Sequence, residues 1–370
     1  TMPGWVPVLV TVGIGTMLIG AWQALREFDL KLVLAYGTVS QLGFLTAVSA
    51  FGTRGVTVAA LAMLVSHALF KSTLFLTVGI IDHAVGTRDL RKLSGYGKRD
   101  PWLAGVGILA AASMAGVPPL YGFVAKEAVI ETILTTQSKA GYIALAGIFL
   151  GSVMTVGYAW RFVYGAFATK ENVEPVSGHS TSNLLMVSPV ILAVSLTILG
   201  PLSFILNGPF DAYTHDLSGH AYSLALWHGF TPALAISGAI FAVGAVLIYA
   251  GPYVSQFQSH MPTIIDFPRA YSRIMQGLVA TAAYVTSRTQ RGSMPFYQSV
   301  IYGVAIGGMG VTLLANNSWG VLPEFAQSWG QVAVAAIIVP AALAATVAKK
   351  RFQAVVIVGV TGYGLSLIHI

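Results

Sequence analysis

The chain contains no cysteine. That removes disulfides, iron-sulfur clusters and thiolate zinc sites, so redox chemistry within it is not expected. Charge is nearly as scarce: Asp, Glu, Lys and Arg make up 9% of the residues, against roughly a quarter in soluble domains. No nucleotide or hydrolase motif is present, because the Gly95-Tyr96-Gly97-Lys98 turn lacks the spacing of a phosphate loop. His215, His220 and His228 fall in one loop with irregular spacing and no thiolate partners, which argues against a metal site. No cofactor is expected. A basic leader is missing too: Thr1-Met2-Pro3-Gly4 runs straight into apolar sequence, without the pattern of a signal peptide.

What the chain has is apolar length. Of its 370 residues 55% are hydrophobic and the mean hydropathy is +0.75, outside the range of a soluble domain. Windows of about 20 apolar residues give about nine complete spans, all read as helices. They are Trp5 to Leu25, Leu32 to Phe51, Val58 to Ile81, Leu103 to Phe123, Tyr142 to Phe167, Leu184 to Leu206, Pro232 to Tyr249, Val300 to Leu314 and Val332 to Ala348. A tenth begins near Phe352. The expected fold class is an all-α polytopic membrane protein of about nine to ten transmembrane helices plus one interfacial amphipathic helix. Both ends read as cuts through a longer protein, Ile368-His369-Ile370 interrupting the last segment.

The formal charge of +7 does not indicate nucleic acid, because the basic residues follow the membrane. Arg88, Arg91, Lys92, Lys98 and Arg99 lie between the third and fourth spans, Arg269, Arg273, Arg288 and Arg291 in the long loop after Tyr249, and Lys349-Lys350-Arg351 after the ninth span. The connections 207–231 and 315–331 have no Lys or Arg. Counting crossings puts every strongly basic loop on one side, which the positive-inside rule makes the cytoplasmic side of the cell membrane, with Thr1 at the outer face.

Three regions are expected: a transmembrane bundle over 1–250, a cytoplasmic loop over 251–295, and further transmembrane helices over 296–370. Within the loop, Phe267, Tyr271, Ile274, Leu278, Ala282 and Val285 recur at helical spacing from Ile264 to Arg288 while arginines take other faces. That pattern is an amphipathic helix along the interface, either a brace between spans or a plain surface helix. Gly307-Gly308-Met309-Gly310 sits in an apolar span and suits close helix packing.

Lys71 stands near the middle of the Val58 to Ile81 span, with His67 one turn before it. At about 1.5 Å per residue and a hydrocarbon core of about 30 Å, its ammonium is too deep to snorkel. A lysine there costs about 2.5–3.5 kcal/mol on insertion scales, so it faces protein or trapped water and points to function. The i, i+4 spacing puts imidazole and amine on one face, where the imidazole can take a proton at one nitrogen and release one at the other. The alternative is a structural polar pair bridging helices.

Gly116-Val117-Pro118-Pro119 is expected to break the fourth span, since each proline lacks a donor and clashes with the preceding turn. Broken helices at membrane depth are the pattern transporters use at ion sites. Lys126 follows two turns after Pro119 and supplies a second station, unless the break is a simple kink and Lys126 reaches the interface. Two lysines about 12 Å apart at an effective dielectric near 20 repel by roughly 1.4 kcal/mol, so protonating one discourages protonating the other. Lys31, at the inner end of the second span, is either a further station or a snorkelling anchor, and Arg161 reads better as an anchor. Glu127 and Glu131 share a face and pair with Lys126 or with solvent. No carboxylate is placed clearly at membrane depth.

The run Asp29-Leu30-Lys31-Leu32-Val33-Leu34-Ala35-Tyr36-Gly37-Thr38-Val39-Ser40-Gln41-Leu42-Gly43, together with Ser66-His67-Ala68-Leu69-Phe70-Lys71 and Phe123-Val124-Ala125-Lys126-Glu127, resembles the antiporter-like membrane subunits of respiratory complex I and of Mrp-type multisubunit Na+/H+ antiporters. Gly79-Ile80-Ile81-Asp82-His83 and Gly86-Thr87-Arg88-Asp89-Leu90-Arg91 are similar to signatures of the large, A-type Mrp subunit. The resemblance implies a helix bundle with two discontinuous helices, a lateral helix, and a buried row of Lys, His and Glu that carries protons. It makes Lys71 the central lysine, His67 its partner, Lys126 the lysine of the second discontinuous helix, and Lys31 a further member of the row. Met63 stands where many members have a second histidine. The family's earlier helices would precede Thr1.

The implied function is that of a secondary-transport subunit, not an enzyme, exchanging Na+ or another monovalent cation for protons alongside other membrane subunits and lipid. The alternatives are a proton-pumping subunit of a complex I-like or membrane-bound hydrogenase assembly, and a membrane scaffold without transport.

Overall fold

A computed structural model describes residues 4–178, 182–260, 267–290, 292–316, 326 and 328–368. Thr1, Ile264, Arg291 and His369, each part of an expectation above, lie outside the described residues. Apart from one isolated bridge between Asp29 and Asp89, regular structure among the described residues is helical. The chain divides into two compact units, Thr1–Ile264 and Ile265–Ile370. The division falls inside the expected cytoplasmic loop.

The first unit holds α1 (Trp5–Arg26), α2 (Leu30–Ser49), α3 (Arg54–Val85), the short α4 (Tyr96–Arg99), α5 (Pro101–Ala115), α6 (Tyr121–Thr135), α7 (Lys139–Phe167), α8 (Asn183–Leu199), a 3-10 turn (Ser203–Leu206), α9 (Asn207–Thr214), α10 (Pro232–Tyr249) and α11 (Gly251–His260). Local chemistry sets the starts. Asp29 caps α2 by accepting from the amides of Lys31 and Leu32, and Asp100 caps α5 ahead of Pro101, whose missing donor is harmless at the first helical position. Between α1 and α2 the backbones meet: a Cβ on Gly13 would lie 2.6 Å from the Ala47 nitrogen. Small residues of this kind are how membrane helices pack closely where lipid and side chain are equally apolar.

Among the described residues seven helices are long and apolar enough to cross a membrane, or eight counting one bent pair, with Pro101–Ala115 and Arg351–Leu367 as shorter apolar helices. Two expected spans differ in detail. Leu103 to Phe123 is not one helix but most of α5, a connection, and the start of α6, because Gly116 at φ 90° ends α5 before Pro118 and Pro119. Leu184 to Leu206 bends by 93° after α8, where Pro201 follows Gly200 and a helix cannot continue.

Helix α6 is the centre of the unit. Every residue from Tyr121 to Ile130 is buried, so the first ten residues of this short helix are enclosed by protein on all faces. The second unit contains α12 (Phe267–Thr289), α13 (Met294–Asn316), α14 (Trp329–Val347) and α15 (Arg351–Ile368). Helix α12 carries Tyr271, Ile274, Leu278 and Val285 at the expected helical spacing, exposed like the rest of the helix from Tyr271 onward.

Candidate functional site

Helix α3 runs for 32 residues and carries His67 and Lys71 on its buried face, 8% and 5% exposed. Lys71 Nζ reaches across to α2 and donates to the Leu34 carbonyl at 3.0 Å. That carbonyl also accepts from the Thr38 hydroxyl at 2.8 Å. Gly37 makes the room: a Cβ there would lie 2.8 Å from Lys71 Nζ and 3.2 Å from the ring of Tyr158 on α7. The ammonium therefore sits in a pocket of three helices. The ring of His67 packs edge-on against Phe70 at 5.5 Å between centroids, and its Nε2 is buried without a partner among the described residues.

Lys126 lies on the enclosed helix α6, 5% exposed. Its Nζ donates to the carbonyls of Ala115 at 2.7 Å and Met114 at 3.4 Å, at the C-terminal end of α5. A cation at a helix C-terminus meets both orphan carbonyls and the negative end of the macrodipole, worth about 0.3–1 kcal/mol and up to ~2 when partly buried. The helix break thus creates the lysine's acceptors. Neither buried lysine forms an ion pair among the described residues.

Further polar side chains are buried in the same unit. Gln41 on α2 and Tyr158 on α7 are 1% and 0% exposed, with Gln41 Nε2 donating to the Tyr158 hydroxyl at 3.5 Å. Polar atoms of Ser40, Gln41, Ser66 and Tyr121 are also buried without protein partners among the described residues. Buried groups of this type are ordinarily met by water. Four of them stand in the quoted motifs or beside the break, so their residue types were visible and their convergence was not.

Glu127 is a buried carboxylate on α6. It is 3% exposed, because α6 is covered on the face that sequence left open. Its Oε1 accepts from Thr231 at 3.5 Å, and Glu131 accepts from the Tyr222 hydroxyl at 2.9 Å. These two glutamates pair with the loop before α10, not with Lys126.

The remaining expected charged residues lie at the basic end of the unit. Lys31 is exposed in the first turn of α2 and is not brought to the buried lysines. Arg88 donates through Nε to Asp29 at 3.2 Å and through Nη1 to Asp82 at 3.5 Å, tying the start of α2 to the end of α3. Asp89 accepts from Arg91, which holds its carboxyl down to about 2. His83 is exposed, as are Pro118 and Pro119 in the break. Arg161 donates to the Glu27 carbonyl through Nε and Nη2, an anchoring contact between α7 and the end of α1.

Residues 1–155 match the family described as NADH:quinone oxidoreductase/Mrp antiporter, transmembrane region. The chain is 30% identical over 396 residues to a Na+/H+ antiporter subunit A1 of Staphylococcus haemolyticus, covering 99% of this chain and 49% of the relative. It is similar to a chain in the solved structure of the Mrp complex from Dietzia sp. DQ12-45-1b, at 32% identity and a TM-score of 0.67, over 99% of this chain and 40% of that one. A chain of a membrane-bound sulfane sulfur reductase, an archaeal respiratory membrane complex, shares the fold at 21% identity and a TM-score of 0.57, over 82% of this chain and 56% of that chain. The chain spans about half the length of the curated relatives it matches.

Proposed function

We propose that this chain, whose residues 1–155 match the NADH:quinone oxidoreductase/Mrp antiporter transmembrane family, is a proton-carrying part of a multisubunit Na+/H+ antiporter in the cell membrane. The observation that carries the reading is the pair of buried lysines whose hydrogen bonds go to backbone carbonyls, Leu34 for Lys71 and Ala115 for Lys126. A carbonyl accepts from an ammonium and, more weakly, from a neutral amine. Each lysine can therefore change protonation state without losing its anchor, which a buried ion pair would not allow without stranding its partner. His67 beside Lys71 supplies a group that takes and releases protons at two separate nitrogens.

In this scheme a proton passes between the His67/Lys71 station and Lys126, each charge discouraging the other. The chain works by secondary transport and catalyses no bond-making step. Its basic loops face the cytoplasm, and other antiporter subunits complete the path for the exchanged monovalent cation. The names of the relatives favour this over a quinone-linked or hydrogenase assembly. The test replaces Lys71 by Ala in the full-length assembled complex and measures Na+-dependent proton flux in vesicles. Flux falls to the background of vesicles without the complex; unchanged flux with normal assembly overturns the reading.

A further inference from the structure

The basic end of the first unit holds a cavity of about 360 Å3 that the lysine row does not use. One wall is cationic, formed by Arg91, Arg161 and Lys170, and the rest is largely apolar, with Trp160, Leu247 and Val254. The cationic wall is built. Phe28 is held between two guanidinium groups, Arg91 at 4.8 Å and Arg161 at 4.7 Å from its ring centre. Lys170 Nζ is fixed by the carbonyls of Leu90, Leu93 and Gly165. Asp89 occupies the Nε and Nη2 edge of Arg91, and Glu27 takes two donors of Arg161 through its carbonyl. Three cations against these two acidic residues leave an excess of positive charge, and the guanidinium donors not engaged remain for an anion.

We propose that this cavity seats one anionic glycerophospholipid, its phosphate against Arg161 and Arg91 and the first carbons of an acyl chain along Trp160, Leu247 and Val254. The mixed lining favours a lipid over a free phosphate, which would leave the apolar wall unused. Trp160 and Tyr164 stack at 6.2 Å on α7 and are about half exposed, the aromatic pair expected at a membrane interface. Basic pockets between spanning helices are where acidic headgroups bind.

The experiment uses the full-length protein in its assembled complex, delipidated and offered a phosphatidylglycerol with a photoreactive group early in its acyl chain. Labelling is expected in peptides containing 157–164 and 247–258. Arg161→Gln should lower it roughly tenfold or more, the size of losing a charge-assisted hydrogen bond, and Val254→Trp, which fills the cavity without touching the charges, should separately lower it by taking the acyl chain's place. The unsubstituted complex decides the matter if either variant fails to assemble. No labelling of these peptides, equal labelling by a phosphatidylcholine probe, displacement by millimolar inorganic phosphate, or cross-linking of the cavity to another protein segment would each overturn the proposal.

Discussion

Lys126 Nζ and the carbonyl oxygen of Ala115 meet at 2.7 Å across the break between α5 and α6. The residue that permits this is Gly116, which has φ 90° and whose added Cβ would lie 3.1 Å from the same Nζ. Gly116→Ala should therefore act twice. It places a side chain in the left-handed region, at roughly 1–2 kcal/mol, and it pushes the ammonium off its carbonyls. The expected result is a lower melting temperature of the full-length protein together with reduced proton flux. Gly79→Ala, inside α3 where a Cβ meets nothing within 4 Å, is the control: flux should be unchanged and the melting temperature the same or higher, since alanine is favoured over glycine in a helix.

Gly37 and Gly13 make opposite predictions. A Cβ on Gly37 meets Lys71 Nζ at 2.8 Å, the movable end of a flexible side chain, whereas one on Gly13 meets the Ala47 backbone nitrogen at 2.6 Å. Gly37→Ala should cost little stability, since alanine's advantage over glycine in a helix, about 1 kcal/mol, offsets the shift it forces on Lys71 and the Tyr158 ring, yet alter transport by displacing Lys71. Gly13→Ala should force α1 from α2 and lower stability and assembly. Thermal melts of the purified protein, read beside flux in vesicles, separate the two.

The difference between these glycines marks what sequence shows and what it conceals. His67 and Lys71 were readable because both lie on one helix and their spacing alone puts them on one face. The break at Gly116 to Pro119 was readable because proline and glycine act locally. The acceptor of Lys71 lies 37 residues away, and nothing in the periodicity of α2 selects Leu34 from its neighbours. The enclosure of α6 was hidden for the same reason: a uniformly apolar segment reads as one span whether its faces meet lipid or other helices. Lys31 shows the converse, since a lysine near a helix start can turn inward or snorkel outward, and only the fold places it in the exposed first turn of α2.

Arg88 offers a test of the basic end. Its guanidinium reaches Asp29 and Asp82 at once, but all three side chains are about a third exposed, 37%, 30% and 42%, so solvent screens both pairs. The backbone pairing beside it, Leu30 N–H to the Arg88 carbonyl and Leu90 N–H to the Phe28 carbonyl, does not need the side chain. Arg88→Ala should thus cost no more than about 1 kcal/mol. Arg88→Lys should recover less than half of that, because one ammonium cannot fork between two carboxylates as a guanidinium does. A double-mutant cycle with Asp82→Asn, measured by denaturant melts, gives the coupling directly.

The last prediction concerns the loop before α10. Burial, then the neighbouring Glu131, pushes the Tyr222 hydroxyl above its ordinary value of 10, and that hydroxyl donates to Glu131. A group whose folded value is raised contributes stability that is complete below its unfolded value and is lost as the pH rises beyond it. The contact should therefore hold at neutral pH and weaken above about pH 10, when the unfolded loop gains by ionising its tyrosine and the folded one cannot. Limited proteolysis between Asn207 and Thr231 should accelerate over that alkaline range. In Tyr222→Phe cleavage should be faster at pH 7, because Glu131 loses its donor, and this site's part of the alkaline acceleration should vanish. A pH profile identical in the two proteins would show that Tyr222 does not hold the loop.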